Sequence, residues 1–121
     1  DSIVAKMTTP AVVLNHRFSL TQLAALFASV DRLLCHDSGP MHLAAAVGTP
    51  VVALYGSQKI STWRPIGDDH ILLQAPLPCR ECVSPGFCKP DDSYHIHCLG
   101  NIPPEAVIAA LRANLPQIPA L

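Results

Sequence analysis

The sequence carries little charge, and this shortage limits the partners that it can bind. Asp, Glu, Lys and Arg together make up 14% of the residues, and the net charge is −1 with histidine neutral. Nucleic acids and anionic membrane surfaces are bound through clustered Lys and Arg residues, and the sequence contains no such cluster. We therefore predict a small molecule or a protein as the partner, and no nucleic acid.

The sequence also lacks an apolar run long enough to cross a membrane, so we predict no transmembrane segment. Its first residues, Asp1, Ser2 and Ile3, show neither an initiator Met nor the pattern of a signal peptide. We expect an excised piece of a longer protein.

Two glycine-rich nucleotide motifs are missing as well. Neither Gly-x-Gly-x-x-Gly nor a Walker sequence occurs, which counts against a nicotinamide enzyme and against a nucleoside triphosphatase.

Apolar residues are plentiful and make up 50% of the 121 residues, enough for a single core. Short apolar runs predict strands at residues 11–14, 33–35, 51–55 and 71–73. Helical spacing and end signals predict helices from Ser19 to about Val30, from the Gly39-Pro40 step to Gly48, and from Pro103 onward. Alternating strands and helices predict an α/β fold, with a parallel sheet that carries helices on both faces.

The segment 36–42 is the most informative part of the chain, because it joins a predicted strand to a predicted helix. It reads His36-Asp37-Ser38-Gly39-Pro40-Met41-His42. We expect free amides at Gly39, Met41 and His42, the partial positive charge of a helix N-terminus, and close approach of an anion at Gly39. Asp37, Ser38 and His42 add polar side chains at the same point. A pyrophosphate would suit this site.

Two other interpretations of the same residues remain open at this stage. Asp37 or Ser38 can be an ordinary helix N-cap with nothing bound. Ser38 as a hydrolase nucleophile fits poorly, because the nucleophile elbow requires Gly-x-Ser-x-Gly and position 36 is His.

Ligands of parallel sheets bind beyond the carboxyl ends of the strands. The loops after residues 14, 36 and 55 all lie on that edge in the predicted topology. We therefore expect Phe18, the 36–42 segment and residues 56–63 to share one cleft. Trp63 can either stack on a ligand there or cover the sheet edge.

Beyond these patterns, the sequence resembles a known family. The C-terminal domain of glycosyltransferase family 9, the ADP-heptose:lipopolysaccharide heptosyltransferases, is similar over most of the chain. The matching segments are Asp37-Ser38-Gly39-Pro40-Met41-His42-Leu43-Ala44-Ala45-Ala46, Gly48-Thr49-Pro50-Val51-Val52-Ala53-Leu54-Tyr55-Gly56 and Trp63-Arg64-Pro65.

This resemblance implies a Rossmann-like domain that forms the C-terminal half of a glycosyltransferase B fold. Residues 1–121 would be the nucleotide-sugar (donor) binding domain, and the N-terminal acceptor domain would be absent from this chain. The family inverts configuration without a metal, so no metal and no cofactor are expected. Its general base lies in the N-terminal domain, so we expect no catalytic residue here and no sugar transfer by this piece alone.

The resemblance also implies the residues that hold the donor. Ser38 and Gly39 would contact its phosphates, Asp37 and His42 its sugar or phosphates, and Met41 would contribute its free amide. Phe18 is similar to the family's apolar position beside the adenine. Ser57, Gln58 and Lys59 depart from the family's more frequent Pro-Thr-Asp, which leaves the role of that loop open.

The implied function is transfer of heptose from ADP-heptose to a lipopolysaccharide core acceptor. The partners would be ADP-heptose and a lipid-linked saccharide, and the location the cytoplasm, peripheral at the inner membrane. Two alternatives stand beside it: a glycosyltransferase B fold enzyme with another nucleotide sugar, and a non-catalytic nucleotide- or zinc-binding interaction module.

Four cysteines raise the question of a metal. Cys79, Cys82, Cys88 and Cys98, with His95 and His97 nearby, are residue types that bind zinc. Only one tight Cys-x-x-Cys pair is present, so we favour free thiols and predict no metal. Cys35 lies inside a predicted strand and is expected in the core.

Overall fold

The computed structural model describes residues 3–77 and 97–113. A 3-10 turn at Val4–Lys6 precedes the main elements. In chain order these are α1 Leu20–Ala28, β1 Leu33–His36, α2 Gly39–Ala46, β2 Val51–Tyr55, α3 Ile60–Trp63, β3 Ile71–Gln74, α4 His97–Gly100 and α5 Pro104–Arg112. The predicted strands at 33–35, 51–55 and 71–73 are confirmed to within one residue, and so are the starts of the three predicted helices.

The three strands form one parallel sheet in the order β1-β2-β3. Leu33 pairs with Val51 and Val52 pairs with Ile71, so all three strands end at the same edge. This arrangement confirms the predicted α/β, Rossmann-like class. It also brings the segments that follow β1 and β2 together at the carboxyl edge.

The core lies on one face of the sheet, between β2 and the pair α1 and α2. Buried members are Phe27, Met41, Ala44, Val51, Ala53 and Tyr55. Side chains alternate along a strand, so Val52 and Leu54 face the opposite side, where α4 and α5 contact β2. Arg32, the residue before β1, anchors α5 by donating hydrogen bonds to the carbonyls of Ala110, at 2.5 Å, and Leu111, at 3.2 Å. Helices therefore cover both faces, as predicted.

The beginning of α1 follows from its sequence. Ser19 is the N-cap, and its hydroxyl accepts from the Gln22 amide at 3.2 Å while the Gln22 side chain accepts from the Ser19 amide at 2.9 Å. This reciprocal capping box satisfies two donors that the helix itself cannot pair. The C-terminal end of α1 is held beside the segment that leads into β2, because the buried Thr49 hydroxyl donates to the Phe27 carbonyl at 2.7 Å.

The predicted strand at residues 11–14 is wrong. These residues pair with no strand in the described part of the chain, and Val12, Val13 and Leu14 are 87%, 48% and 47% exposed. An apolar run reports a tendency to be buried, but a strand forms only where a neighbour supplies hydrogen-bond partners. Whether a neighbouring strand is present depends on tertiary structure, which the local sequence does not encode.

Candidate functional site

The N-terminus of α2 lies directly after β1, as the sequence predicted. Ser38 is the N-cap residue and has an extended backbone, but its side chain makes no capping hydrogen bond to the helix. The Ser38 hydroxyl instead donates to the His36 carbonyl at 3.0 Å. An N-cap side chain normally satisfies the first helical amides. Ser38 therefore does not act as an ordinary N-cap. Its side chain accepts no hydrogen bond from the first amides of α2.

Gly39, the first helical residue, borders open space. A Cβ atom built there would have no heavy atom within 4 Å, and its φ is not in the left-handed region. Neither packing nor backbone strain therefore requires glycine at this position. The open space leaves room for a ligand to approach the backbone closely.

The expectation of a free Met41 amide is wrong. The amide donates to the Ser38 carbonyl at 3.1 Å, so it closes the first turn of the helix. The Met41 side chain is fully buried, with its Sδ 3.4 Å from the Tyr55 hydroxyl. This bond joins residues three apart, as in a 3-10 turn, whereas an α-helical turn would leave the Met41 amide unpaired.

Two adjoining cavities open at this edge of the sheet. The first, which we call the α2 cavity, has a volume of about 270 Å³ and is lined by Asp37, Ser38, Gly39, His42, Gln58 and Trp63. The second, the α4 cavity, has a volume of about 260 Å³ and is lined by His36, Asp37, Leu54, Gly56, Ser57, Gln58, Cys98 and Leu99. Asp37 and Gln58 belong to both linings, so the two cavities adjoin.

Most of the predicted cleft is thereby assembled. Four of the six predicted donor contacts, Asp37, Ser38, Gly39 and His42, meet around the α2 cavity together with Trp63. Phe18 lies just before the α1 cap, half-buried, with its ring edge-on to His16 at 6.3 Å. Among the described residues, Phe18 is in the lining of neither cavity.

The buried Tyr55 links α2 to α3, the helices that contribute His42 and Trp63 to the lining of the α2 cavity. Its hydroxyl donates to the Trp63 carbonyl at 2.9 Å, while the same oxygen contacts Met41 in the first turn of α2. Burial, with the negative charge of Asp37 next in importance, raises the pKa of Tyr55 to about 12. The same two causes, in the same order, raise the pKa of the Cys35 thiol to about 11. Both groups are therefore neutral at physiological pH.

These pKa values predict a loss of stability in alkali. The ordinary values are 9.0 for Cys35 and 10.0 for Tyr55, so the folded state holds both protons more tightly than the unfolded state. The resulting stabilisation is complete below about pH 9 and is lost as the pH rises through the folded values. The urea midpoint should fall between about pH 9 and about pH 12, and less steeply in Cys35→Ala. Equal slopes in the two proteins would contradict this account of Cys35.

Three residues of the site escaped prediction as contacts. Ser57 and Gln58 line the cavities, and Gln74 at the end of β3 holds the loop that carries them. The sequence predicted that residues 56–63 lie in the cleft and showed that Ser57 and Gln58 depart from the family's more frequent residues, but it gave them no role as contacts. Gln74 follows a short apolar run elsewhere in the chain, and no motif marks it.

The zinc hypothesis falls mostly outside the described residues. Cys79, Cys82, Cys88 and His95 lie there, and so does the side chain of His97, whereas Cys98 is a half-buried free thiol in the α4 cavity. Within residues 3–77 and 97–113 no three His, Cys, Asp or Glu side chains form a group that could hold a metal ion.

Fold and site together define a class. A parallel sheet whose first strand-to-strand connection begins with an uncapped helix N-terminus, open to a cavity at the carboxyl edge, is typical of Rossmann-like α/β domains. The model of glycosyltransferase family 9 (heptosyltransferase) matches residues 1–88. The chain belongs to this family.

Relatives of named function support the same assignment. Lipopolysaccharide heptosyltransferase 3 of Escherichia coli is 32% identical over 110 residues, which cover 91% of this chain and 31% of that protein. Lipooligosaccharide heptosyltransferase 2 of Campylobacter jejuni is 29% identical over 78% of this chain and 29% of its own length. Lipopolysaccharide core heptosyltransferase OpsX of Haemophilus influenzae is 45% identical over 58 residues, 44% of this chain and 16% of that protein.

The matched part of this chain thus covers less than a third of the length of the heptosyltransferases from Escherichia coli and Campylobacter jejuni. No solved structure is significantly similar to it. Among the described residues, no helix combines the length and the apolar character that a membrane crossing requires.

Proposed function

We propose that this chain binds the diphosphate of a nucleotide sugar at the N-terminus of α2, as the donor-binding part of a heptosyltransferase. The observation that carries the proposal is the uncapped helix N-terminus that opens onto the α2 cavity in a family 9 chain. Backbone amides and the helix dipole favour an anion at such a point. We propose heptose as the sugar because the relatives are named heptosyltransferases. We propose ADP as the nucleotide because of the resemblance to the family.

The proposed roles follow from what each group can offer. The Gly39 amide donates to a phosphate oxygen, and the Ser38 hydroxyl does the same once it turns away from the His36 carbonyl. The exposed His42 imidazole adds a side-chain donor on the next turn. Asp37 accepts from hydroxyl groups. Phe18 remains the proposed apolar neighbour of the adenine. Met41 supports the site from the core, since its amide is already paired.

The proposed mechanism uses these groups to stabilise the leaving group. When the sugar is transferred, the bond between its anomeric carbon and the diphosphate oxygen breaks, and the electron pair stays on the phosphate. Fixed amides aimed at this growing charge bind the transition state more tightly than the donor. We assign activation of the acceptor, and inversion at the anomeric carbon, to a general base in an N-terminal domain of the longer protein.

The remaining parts of the proposal concern the whole enzyme. Residues 1–121 act as the donor domain of a glycosyltransferase B fold, and its partner domain binds a lipid-linked lipopolysaccharide core acceptor. Such an acceptor places the enzyme in the cytoplasm at the inner membrane, as a peripheral protein. The relatives, about three times as long as their match to this chain, leave room for such a domain.

Substitution of His42 tests the proposed donor site. A hydrogen bond to a charged group is worth about 1.5–3 kcal/mol, so His42→Ala should weaken ADP binding by about tenfold or more. The Gln variant of the same residue keeps an N–H donor and should recover part of this loss. Isothermal titration calorimetry with ADP gives both dissociation constants. ADP binding that is equally tight in all three proteins would refute the role of His42.

A further inference from the structure

The lining of the α2 cavity comes from two parts of the chain. The lining residues between positions 37 and 42 belong to the junction of β1 with α2, and they carry every polar group of the proposed diphosphate site. Gln58 and Trp63 complete the lining from the segment that follows β2. The shape of the cavity therefore depends on how this second segment is held relative to α2.

Tyr55, the last residue of β2, connects the two parts. Its side chain is fully buried, and its hydroxyl donates to the Trp63 carbonyl at 2.9 Å. Trp63 is the last residue of α3, and a carbonyl at the end of a helix has no partner within that helix. The same hydroxyl oxygen lies 3.4 Å from the Met41 Sδ, in the first turn of α2. One buried oxygen thus contacts both helices.

Trp63 is the large aromatic group of this lining, and it is held while much of it stays uncovered. It is 51% exposed, although its carbonyl is bonded to the core and Ile60, at the start of α3, packs against the core. A Trp ring offers a large apolar area and one N–H donor to a ligand that covers it. A group that is already in place spares the ligand the free-energy cost of arranging it.

We propose that Tyr55 is a positioning residue of the donor site, whose hydroxyl holds Trp63 in the wall of the α2 cavity before the ligand arrives. This inference rests on the proposed function, because the ligand concerned is a nucleotide with its diphosphate at the N-terminus of α2. Tyr55 is buried below the cavity and belongs to its lining nowhere, so it acts on the ligand only through Trp63.

The test measures ADP affinity by calorimetry on the 121-residue chain and on four variants. Tyr55→Phe removes only the hydroxyl, Trp63→Ala removes the ring from the cavity wall, and a double variant combines the two. Thr49→Val is the matched control. It also removes a buried hydroxyl that donates to a backbone carbonyl, that of Phe27 at 2.7 Å, and Thr49 lines neither cavity.

Tyr55→Phe should weaken ADP binding by about three- to tenfold, since ADP must then hold α3 in place at a cost of up to one hydrogen bond. Trp63→Ala should weaken it at least as much. Adding Tyr55→Phe to Trp63→Ala should change the affinity by less than about twofold, because the ring that the hydroxyl positions is gone. Thr49→Val should bind ADP within about twofold of the unmodified chain, although it too loses a buried hydrogen bond.

Fluorescence gives a second readout, because Trp63 is the only Trp in the sequence. Without ligand, Tyr55→Phe should emit at a longer wavelength than the unmodified chain, since a released indole is more exposed to water. Thr49→Val should emit at the unmodified wavelength. If the Tyr55 hydroxyl only stabilised the core, its loss would lower the free energy of unfolding and change neither the Trp63 emission nor the ADP affinity.

The outcomes separate the two claims. ADP binding that is equally tight in Tyr55→Phe and the unmodified chain would overturn the positioning role and leave the proposed function standing. An equal loss from Tyr55→Phe with and without the Trp63 ring would do the same. If Tyr55→Phe does not fold, Trp63→Ala, at an exposed position, decides, and unchanged ADP affinity there overturns the inference. No binding of ADP by the unmodified chain would overturn both claims.

Discussion

Gly39→Asp should abolish most ADP binding without destabilising the protein. A carboxylate at the first position of α2 would occupy the point where we place the diphosphate, and it would repel that charge. We expect ADP to bind about 30-fold more weakly or worse, which corresponds to ~2 kcal/mol. An acidic residue in the first turn of a helix is itself favourable, so the free energy of unfolding should stay the same or rise by about 0.3–1 kcal/mol.

The separation of binding from stability makes this prediction specific. Position 39 has a helical backbone with no neighbour within 4 Å of a Cβ, so the folded structure accommodates the new side chain. Ala109→Asp, on an exposed position of α5 outside both cavities, makes the same change in net charge and should leave ADP affinity unaltered. Equal weakening by both substitutions would mean that total charge, not the α2 N-terminus, governs binding.

Met41→Ala should cost more stability than any other single change in the 36–42 segment. The side chain is 0% exposed and belongs to the core cluster with Phe27 and Tyr55. Truncating a buried Met to Ala removes apolar contacts and leaves a cavity, at a cost of about 2–5 kcal/mol. Urea unfolding at neutral pH measures this loss.

Met41→Leu is the matched control, because it nearly preserves volume and should cost less than about 1.5 kcal/mol. Its ADP affinity should equal that of the unmodified chain, since neither the buried side chain nor the paired amide faces the ligand. A large loss of ADP affinity in Met41→Leu, with stability retained, would restore Met41 as a direct contact.

Local signals in the sequence predicted most of the fold. The capping box at Ser19 and Gln22, the Gly39-Pro40 step and the apolar run at 51–55 each specify one element through residues that are close together in the chain. The failure at residues 11–14 has the opposite origin. Whether an apolar run becomes a strand depends on a partner strand, which is set by tertiary structure.

For the site, too, the local features could be predicted from the sequence and the long-range contacts could not. The helix N-terminus could be placed from the chain, because strand, turn and glycine are contiguous there. The burial of Met41 and the folding back of its amide depend on how the first turn closes. Gln74 contacts Gly56 across 18 positions of sequence, through a register that only the paired strands define.

The most direct test of the central claim is a nuclear magnetic resonance titration of the labelled chain with ADP. The account predicts that the amide resonances of Ser38, Gly39 and His42 shift in proportion to bound ADP, while those of exposed α5 residues such as Ala109 stay in place. Adenosine, which has no phosphate, should leave Gly39 unmoved. Saturation with ADP that shifts no resonance around Gly39 would contradict the account.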